Sequence, residues 1–259
     1  MCTVLLRFAP DAAWPLLLAA VRDEFVERAW DPPAAHWGDG PWGDGPWGGG
    51  LWGGRDRTAG GTWLAVDPGA PGVAAVLNGV RLPPPATGRR PTRGTLALDA
   101  LHGRPPEGGD HDGFHLLTGT PEMVRLWSWD GTDMVERSLP PGDHIVVNRG
   151  IGLTDEPVVA HFLPLLRSAA GPTAGPTAGA GAADILSTVD FWGGWVRLLG
   201  GDGLDPADPG ALLVRRTYDG RTYGSTSATL VALGPDEVRY DFSASPTDPT
   251  AWRRILPDG

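Results

Sequence analysis

The chain has 259 residues, enough for one large domain or two small ones, and a formal charge of 21 − 31 = −10. Every basic residue is arginine; lysine is absent, which removes Schiff-base and P-loop lysine chemistry, and an acidic chain without basic clusters argues against nucleic-acid or anionic-membrane partners. The only cysteine is Cys2, so there is no internal disulfide and no multi-cysteine zinc site.

Two strands open the chain, Thr3–Phe8 and Pro15–Val21, joined through a Pro10-Asp11 turn signal. The apolar run Leu16–Val21 is short and ends in Arg22-Asp23-Glu24 with no small-residue cleavage site after it. Neither a signal peptide nor a membrane span is therefore expected, and the default location is the cytoplasm. Residues 38–54 read as a low-complexity Trp/Gly insertion with tryptophans at 37, 42, 47 and 52. That five-residue spacing fits neither helix nor strand, so a surface loop is expected.

Strands over Gly61–Asp67 and Gly72–Asn78 follow, then a proline-rich loop and a short helix, Gly94–His102, with Thr92 as its cap. Phe114–Gly119, Met123–Trp129 and Met134–Ser138 read as consecutive antiparallel strands, and His144–Val147 as a further one ending at Asn148. Helices are expected over Thr154–Ala169 and over Asp184–Leu199, the latter capped by Asp184. Between them, residues 171–181 carry a GPTA repeat and read as a flexible connector. The chain returns to strands at Ala211–Tyr218, Ser227–Leu233 and Glu237–Phe242. Strands, central helices and strands again suggest sheets covered by helices.

Cys2 admits two readings. It is a small buried residue opening a strand, or, once Met1 is removed, a nucleophile carrying its own general base. A free α-amine of pKa roughly 7.7–8.0 beside a thiol of about 8.5 is able to take the thiol proton. Asparagine occurs only at 78 and 148, and glutamine is absent, which draws attention to both amides. Asn78-Gly79 is also a type I′ hairpin signal, and Asn148 before Arg149-Gly150 is also a polar strand-end turn. Arg22-Asp23-Glu24 reads either as a solvated turn or as part of a site. Strand neighbours point to opposite faces, so Arg22 and Asp23 serve one site only where the chain bends.

The segments MCTVLLRF, LLLAAVRDEF, GGTWLAV, VAAVLNG, TRGTLALDAL, GFHLL and IVVN resemble, in this order, the NRDE family. That family includes the transport-and-Golgi-organisation protein 2 group. The name-giving tetrapeptide is here Val21-Arg22-Asp23-Glu24, without its first asparagine. The resemblance runs from Met1 to about Trp252, weakest across the two insertions, and extends to N-terminal-nucleophile hydrolases such as penicillin V acylase and bile salt hydrolase. It implies an α+β fold, a four-layer αββα sandwich, in a single domain over 1–259 with insertions at 38–54 and 171–181.

It also implies roles for five residues. Cys2 maps to the nucleophile, Arg22 to the cation beside the thiolate, and Asp23 to the carboxylate that holds the α-amine. Asn78 maps to an oxyanion amide and Asn148 to a second polar site residue. The late arginine of the family's Tyr-Gly-Thr-Arg-like segment is missing at Tyr223-Gly224-Ser225-Thr226, with Arg221 close by as a substitute.

The expected activity is an N-terminal cysteine amidohydrolase that cleaves a linear amide of a small acylated substrate without cofactor or metal. The alternative is a non-catalytic haem- or lipid-handling protein on the same scaffold, with haem as its ligand. The six histidines show no helical zinc spacing, and His111-Asp112 with His115 reads as a loop entering a strand or a surface metal site. The sequence does not specify an oligomeric state.

Overall fold

The computed structural model describes residues 2–37, 50–85, 88–172 and 186–256. Residues 38–49 of the loop expected at 38–54, most of the connector at 171–181, and the cap expected at Asp184 lie outside the described residues. Internal contacts gather the chain into two units, one holding Met1–Arg28, Pro141–Val147 and Ile151–Gly259, the other Ala29–Pro140 and Asn148–Gly150.

The first unit is built on an antiparallel sheet. Its strands are β1 (Thr3–Phe8), β2 (Leu16–Phe25), β10 (Gly142–Val147), β11 (Gly150–Ile151), β13 (Arg221–Leu233), β14 (Val238–Ser243) and β15 (Arg253–Arg254), in the spatial order β11-β10-β1-β2-β13-β14-β15. A short strand, β12 (Arg215–Tyr218), pairs with the start of β13. β1 and β2 are in tight antiparallel register from Thr3 opposite Val21 to Phe8 opposite Leu16. The run Leu16–Val21 does not alternate because these strands are buried on both faces, as Leu16, Leu18, Ala19 and Ala20 all are.

Helices cover one face. They are α2 (Pro157–Ser168), with Pro157 in its first turn, α3 (Thr188–Trp192) and α4 (Gly194–Leu199). Leu5, Ala19, Val21, Val147, Ala228 and Leu230 from the sheet pack with Phe162, Leu166, Trp192, Trp195 and Leu199 from the helices. Each such large side chain contributes about 1.5–3 kcal/mol on burial. Arg7 of β1 ties the layers together. Its guanidinium pairs with Asp143 at 2.7 Å and donates to the carbonyls of Leu166 and Ala169 at 2.6 and 2.8 Å, satisfying the open C-terminal end of α2.

The single helix expected over Asp184–Leu199 is instead two short ones. Ser187 caps α3, accepting from the Asp190 N–H at 3.2 Å, and Gly193 breaks the helix with φ 49°, ψ −113°, a region open to glycine alone. The strand expected from Ala211 begins only at Arg215.

A buried ion pair anchors α3 to the sheet. Asp241 accepts from Thr188 Oγ1 at 2.6 Å, Trp192 Nε1 at 2.8 Å and Arg239 Nε at 2.8 Å, and the Arg239 guanidinium stacks on Phe191 at 4.2 Å. Residues two apart on a strand share a face, so Arg239 and Asp241 meet there without strain.

The second unit is an antiparallel meander in sequence order. Its strands are β3 (Trp30–Ala34), β4 (Trp52–Asp56), β5 (Leu64–Asp67), β6 (Gly72–Asn78), β7 (Phe114–Gly119), β8 (Val124–Trp129) and β9 (Met134–Ser138). One helix, α1 (Leu96–Leu101), packs Leu96 against Val76, Phe114 and Leu116, and Leu98 against Ala65. A 3-10 turn at Arg93–Thr95 precedes it, with Thr92 Oγ1 accepting from the Gly94 N–H at 3.1 Å as the sequence predicts.

Two strands escape sequence reading. β3 contains Pro32 and Pro33 and is tolerated only as the sheet's edge. β4 takes Trp52, Gly53 and Gly54 out of the stretch expected to be a loop. A Cβ on Gly53 would stand 2.4 Å from the Leu64 carbonyl, so a glycine-rich strand is what lets β4 close on β5.

Both units carry one antiparallel sheet with helix on one face, so the α+β expectation holds. Among the described residues no helix is long and apolar enough to cross a membrane. Replacing Asp241 by alanine would remove the carboxylate that faces the charge of Arg239, which is 1% exposed. Urea unfolding of Asp241→Ala is expected to show a loss of about 3–5 kcal/mol, with an unchanged midpoint as the contrary result.

Candidate active site around Cys2

Cys2 sits one residue before β1. Continuing the register beyond Thr3 opposite Val21 sets it across from Arg22 near the end of β2. β2 runs on to Phe25, so Arg22-Asp23-Glu24 is strand and not a solvated turn. Cys2, Arg22 and Asp23 are all buried, at 7, 7 and 4% exposure.

The bend required for neighbouring side chains to serve one place lies on the partner strand. Ser225 of β13 is opposite Asp23 and Ser227 is opposite Arg22, which leaves Thr226 as the extra residue of a β-bulge. The bulged Thr226 hydroxyl accepts from Arg22 Nη1 at 2.9 Å and donates to the Arg22 carbonyl at 3.2 Å. Ser225 donates to Asp23 Oδ1 at 2.6 Å, and its oxygen accepts from the Val214 N–H at 2.9 Å. Gly224 permits this approach, since a Cβ there would stand 2.8 Å from the Val214 carbonyl. The Asp23 backbone carbonyl accepts from both the Cys2 thiol, at 3.7 Å, and the Tyr223 hydroxyl, at 3.1 Å.

Burial pushes the Cys2 thiol above its ordinary range, and the Asp23 charge pushes it further the same way. Arg22 pulls it down, but by less. The thiol is therefore protonated at neutral pH, and Arg22 alone does not make a thiolate. Burial also raises the Asp23 carboxyl, with the Ser225 hydroxyl and the Arg216 charge pulling it back. Tyr223 is pushed far up by burial and by the negative groups around it, so its hydroxyl remains a donor.

Two arginines lie near the segment from which the late arginine is missing. Arg221 pairs with Glu27 and lies 3.9 Å over the Phe25 ring, largely exposed. Arg216 is the β12 cation whose charge acts on Asp23. Tyr223, Ser225, Thr226 and Arg216 were invisible as site residues in the sequence, because only the bulge and the β12–β13 pairing turn them inward. The Tyr223–Thr226 segment was the available signal.

Asn78 and Asn148 belong to the second unit. Asn78 is exposed at the end of β6 opposite Phe114. The tight I′ turn expected at Asn78-Gly79 is absent. The ladder continues instead, with Gly79 N–H donating to Gly113 at 2.8 Å and Gly113 N–H donating to Val80 at 3.0 Å. Gly79 is required by that approach, since a Cβ would meet the Phe114 nitrogen at 2.7 Å.

Asn148 lies against His115. The His115 Nε2–H donates to the Asn148 carbonyl at 3.2 Å, and burial pushes the imidazole below its ordinary range, so the ring is neutral. That leaves Nδ1 to accept the Ser128 hydroxyl proton at 2.8 Å. The Asn148 side-chain oxygen is buried without a hydrogen-bond partner. His111 stacks edge-on against Phe114, apart from this hydrogen-bond chain. No group of three or more His, Cys, Asp or Glu side chains among the described residues is arranged to hold a metal.

The molecule is thus an α+β protein whose N-terminal thiol is buried with an arginine and an aspartate on a bulged strand pair. Residues 1–128 match the family model of Transport and Golgi organisation 2, so the family resemblance holds over that stretch. No curated protein sequence matches the chain. Among solved structures it is similar to the C2A mutant of conjugated bile acid hydrolase from Clostridium perfringens. The identity is 10%, the coverage 100% of this chain and 97% of that one, and the TM-score 0.45, a likeness too distant to bear on activity.

Alkylation of Cys2 by iodoacetamide, followed against pH in the chain that retains Met1, is expected to rise only above the ordinary thiol range. Asp23→Asn should move that midpoint down and Arg22→Met should move it up; a shift in the opposite sense would contradict the electrostatics. His115 supplies a second test. Its folded-state pKa lies below the reference 6.5, so the unfolded chain binds the extra proton and stability falls as pH drops through 6.5. His115→Gln should flatten that part of the urea-stability profile.

Proposed function

We propose that this protein is an N-terminal cysteine amidohydrolase that cleaves a linear amide of a small acylated substrate. The observation that carries the reading is the buried Cys2 thiol donating to the Asp23 carbonyl at 3.7 Å, with Arg22 across the ladder. A protonated, buried thiol needs a base, and among the described residues no histidine hydrogen-bonds to it. Removal of Met1 supplies one, because the new α-amine belongs to Cys2 itself and has an ordinary pKa of roughly 7.7–8.0. Asp23 is the carboxylate that holds this amine, and Ser225 keeps the carboxylate in place.

The neutral amine takes the thiol proton as sulfur attacks the substrate carbonyl carbon. The tetrahedral oxyanion then collapses, the C–N bond breaks, and the α-ammonium returns the proton to the leaving amine. Water attacks the resulting thioester while the same amine accepts its proton. The acid departs and the thiol is restored. Arg22, held by Thr226, favours negative charge on sulfur during the attack. The family resemblance gives Asn78 the part of an oxyanion donor and Asn148 that of a second polar residue; an amide donor in such a role is worth about 2.7–4 kcal/mol.

Intact mass of the purified protein tests the first step, with Met1 absent from active material as the expected result. A panel of N-acyl amides and β-lactams tests the second. Wild type should turn over at least one member, Cys2→Ala should lose that activity, and Asn78→Ala should lower kcat by about 10²–10³-fold. Hydrolysis undiminished in Cys2→Ala, or full activity with Met1 in place, would sink the mechanism.

A further inference from the structure

A cleft of about 660 Å³ opens among the helices of the first unit, lined by α3, α4, the turn Gly201–Gly203 and the loop 246–249. That volume is within the range of small-molecule sites. Val189, Val196, Pro246 and Pro249 supply apolar walls. Val189 is 45% exposed, an uncovered apolar residue at the edge of an otherwise packed helix layer.

The polar groups in the cleft are unevenly used. Asp202 is engaged, accepting from His161 Nε2 at 3.0 Å. Arg197 and Thr247 also line the cleft, and neither side chain has a hydrogen bond or ion pair among the described residues. Most other arginines of this chain are committed to carboxylates, carbonyls or rings, as Arg7, Arg57, Arg90, Arg221 and Arg239 are. An unpaired guanidinium with a spare hydroxyl beside apolar walls is complementary to a carboxylate carried on a compact apolar body. The walls would take the body out of water while the planar fork of Arg197 meets both carboxylate oxygens.

We propose that this cleft is a binding site for small apolar monocarboxylates, with Arg197 as the anion ligand. It lies on the helical side of the sheet, built from elements that do not include Cys2, and stands independently of the amidohydrolase reading.

Titration calorimetry with 4-tert-butylbenzoate and its matched cation, 4-tert-butylbenzylammonium, tests the site on the full chain. The carboxylate should bind saturably at one site and the ammonium should not. Arg197→Glu, at an exposed position, should weaken the carboxylate at least ~10-fold, the scale of a lost charge-assisted pair. Val189→Trp, which fills the mouth, should weaken it comparably, and Cys2→Ala should bind as wild type does. Absence of saturable binding up to roughly 10 mM, equal binding of the ammonium, or an Arg197→Glu isotherm like that of wild type would overturn the proposal. Loss of binding in Cys2→Ala would instead move the ligand to the Cys2 site and overturn it equally.

Discussion

The antiparallel ladder between β1 and β2 is the constraint on which the rest of the site depends. Its hydrogen bonds run from Thr3 opposite Val21 to Phe8 opposite Leu16, and a one-residue slip would turn every side chain of either strand to the wrong face. The register is held because the strands are apolar and buried throughout, with Leu5, Ala19 and Val21 locked against the helices. With the strands so fixed, Cys2 has no choice but to sit across from Arg22. The thiol's burial, and hence its raised pKa, follows from the same packing.

What the ladder cannot supply is convergence of neighbours that a regular strand would separate. The bulge at Thr226 does that. An extra residue on β13 turns a hydroxyl onto Arg22 and leaves Ser225 facing Asp23, so both charged residues are hydrogen-bonded although buried. Buried charges without such partners cost several kcal/mol each. The same logic governs the Arg239–Asp241 pair, where three neighbours, Thr188, Trp192 and the Leu186 carbonyl, help satisfy two charges and tether α3. The protein thus keeps two buried ionic clusters in one sheet, one that positions a helix and one beside its nucleophile candidate.

Much of the architecture was legible in the sequence because its signals are local. β1, β6, β7 and β9 begin and end where alternation and turn residues put them, and Thr92 caps its turn as expected. Misreadings occurred where distant residues decide. Pro32 and Pro33 look forbidding for a strand until β3 is seen to be an edge, and the Trp52-Gly53-Gly54 segment looks like a loop until the Leu64 carbonyl is seen to demand a glycine at position 53. Asn78-Gly79 carries a hairpin signature, yet its glycine serves a close approach to Phe114.

The sequence by itself determined the α+β class, the strand-opening position of the only cysteine, and the Arg22-Asp23 pair that follows the second strand. These depend on residue type and order along the chain. Only the tertiary structure decided that the pair is strand and not turn, that Arg221 is taken up by Glu27 while the Arg216 charge bears on Asp23, and that burial raises the Cys2 thiol. The first depends on the β2–β13 pairing, which brings together residues some 200 positions apart, and the others on the β12–β13 hairpin and on burial. No local pattern encodes that distance.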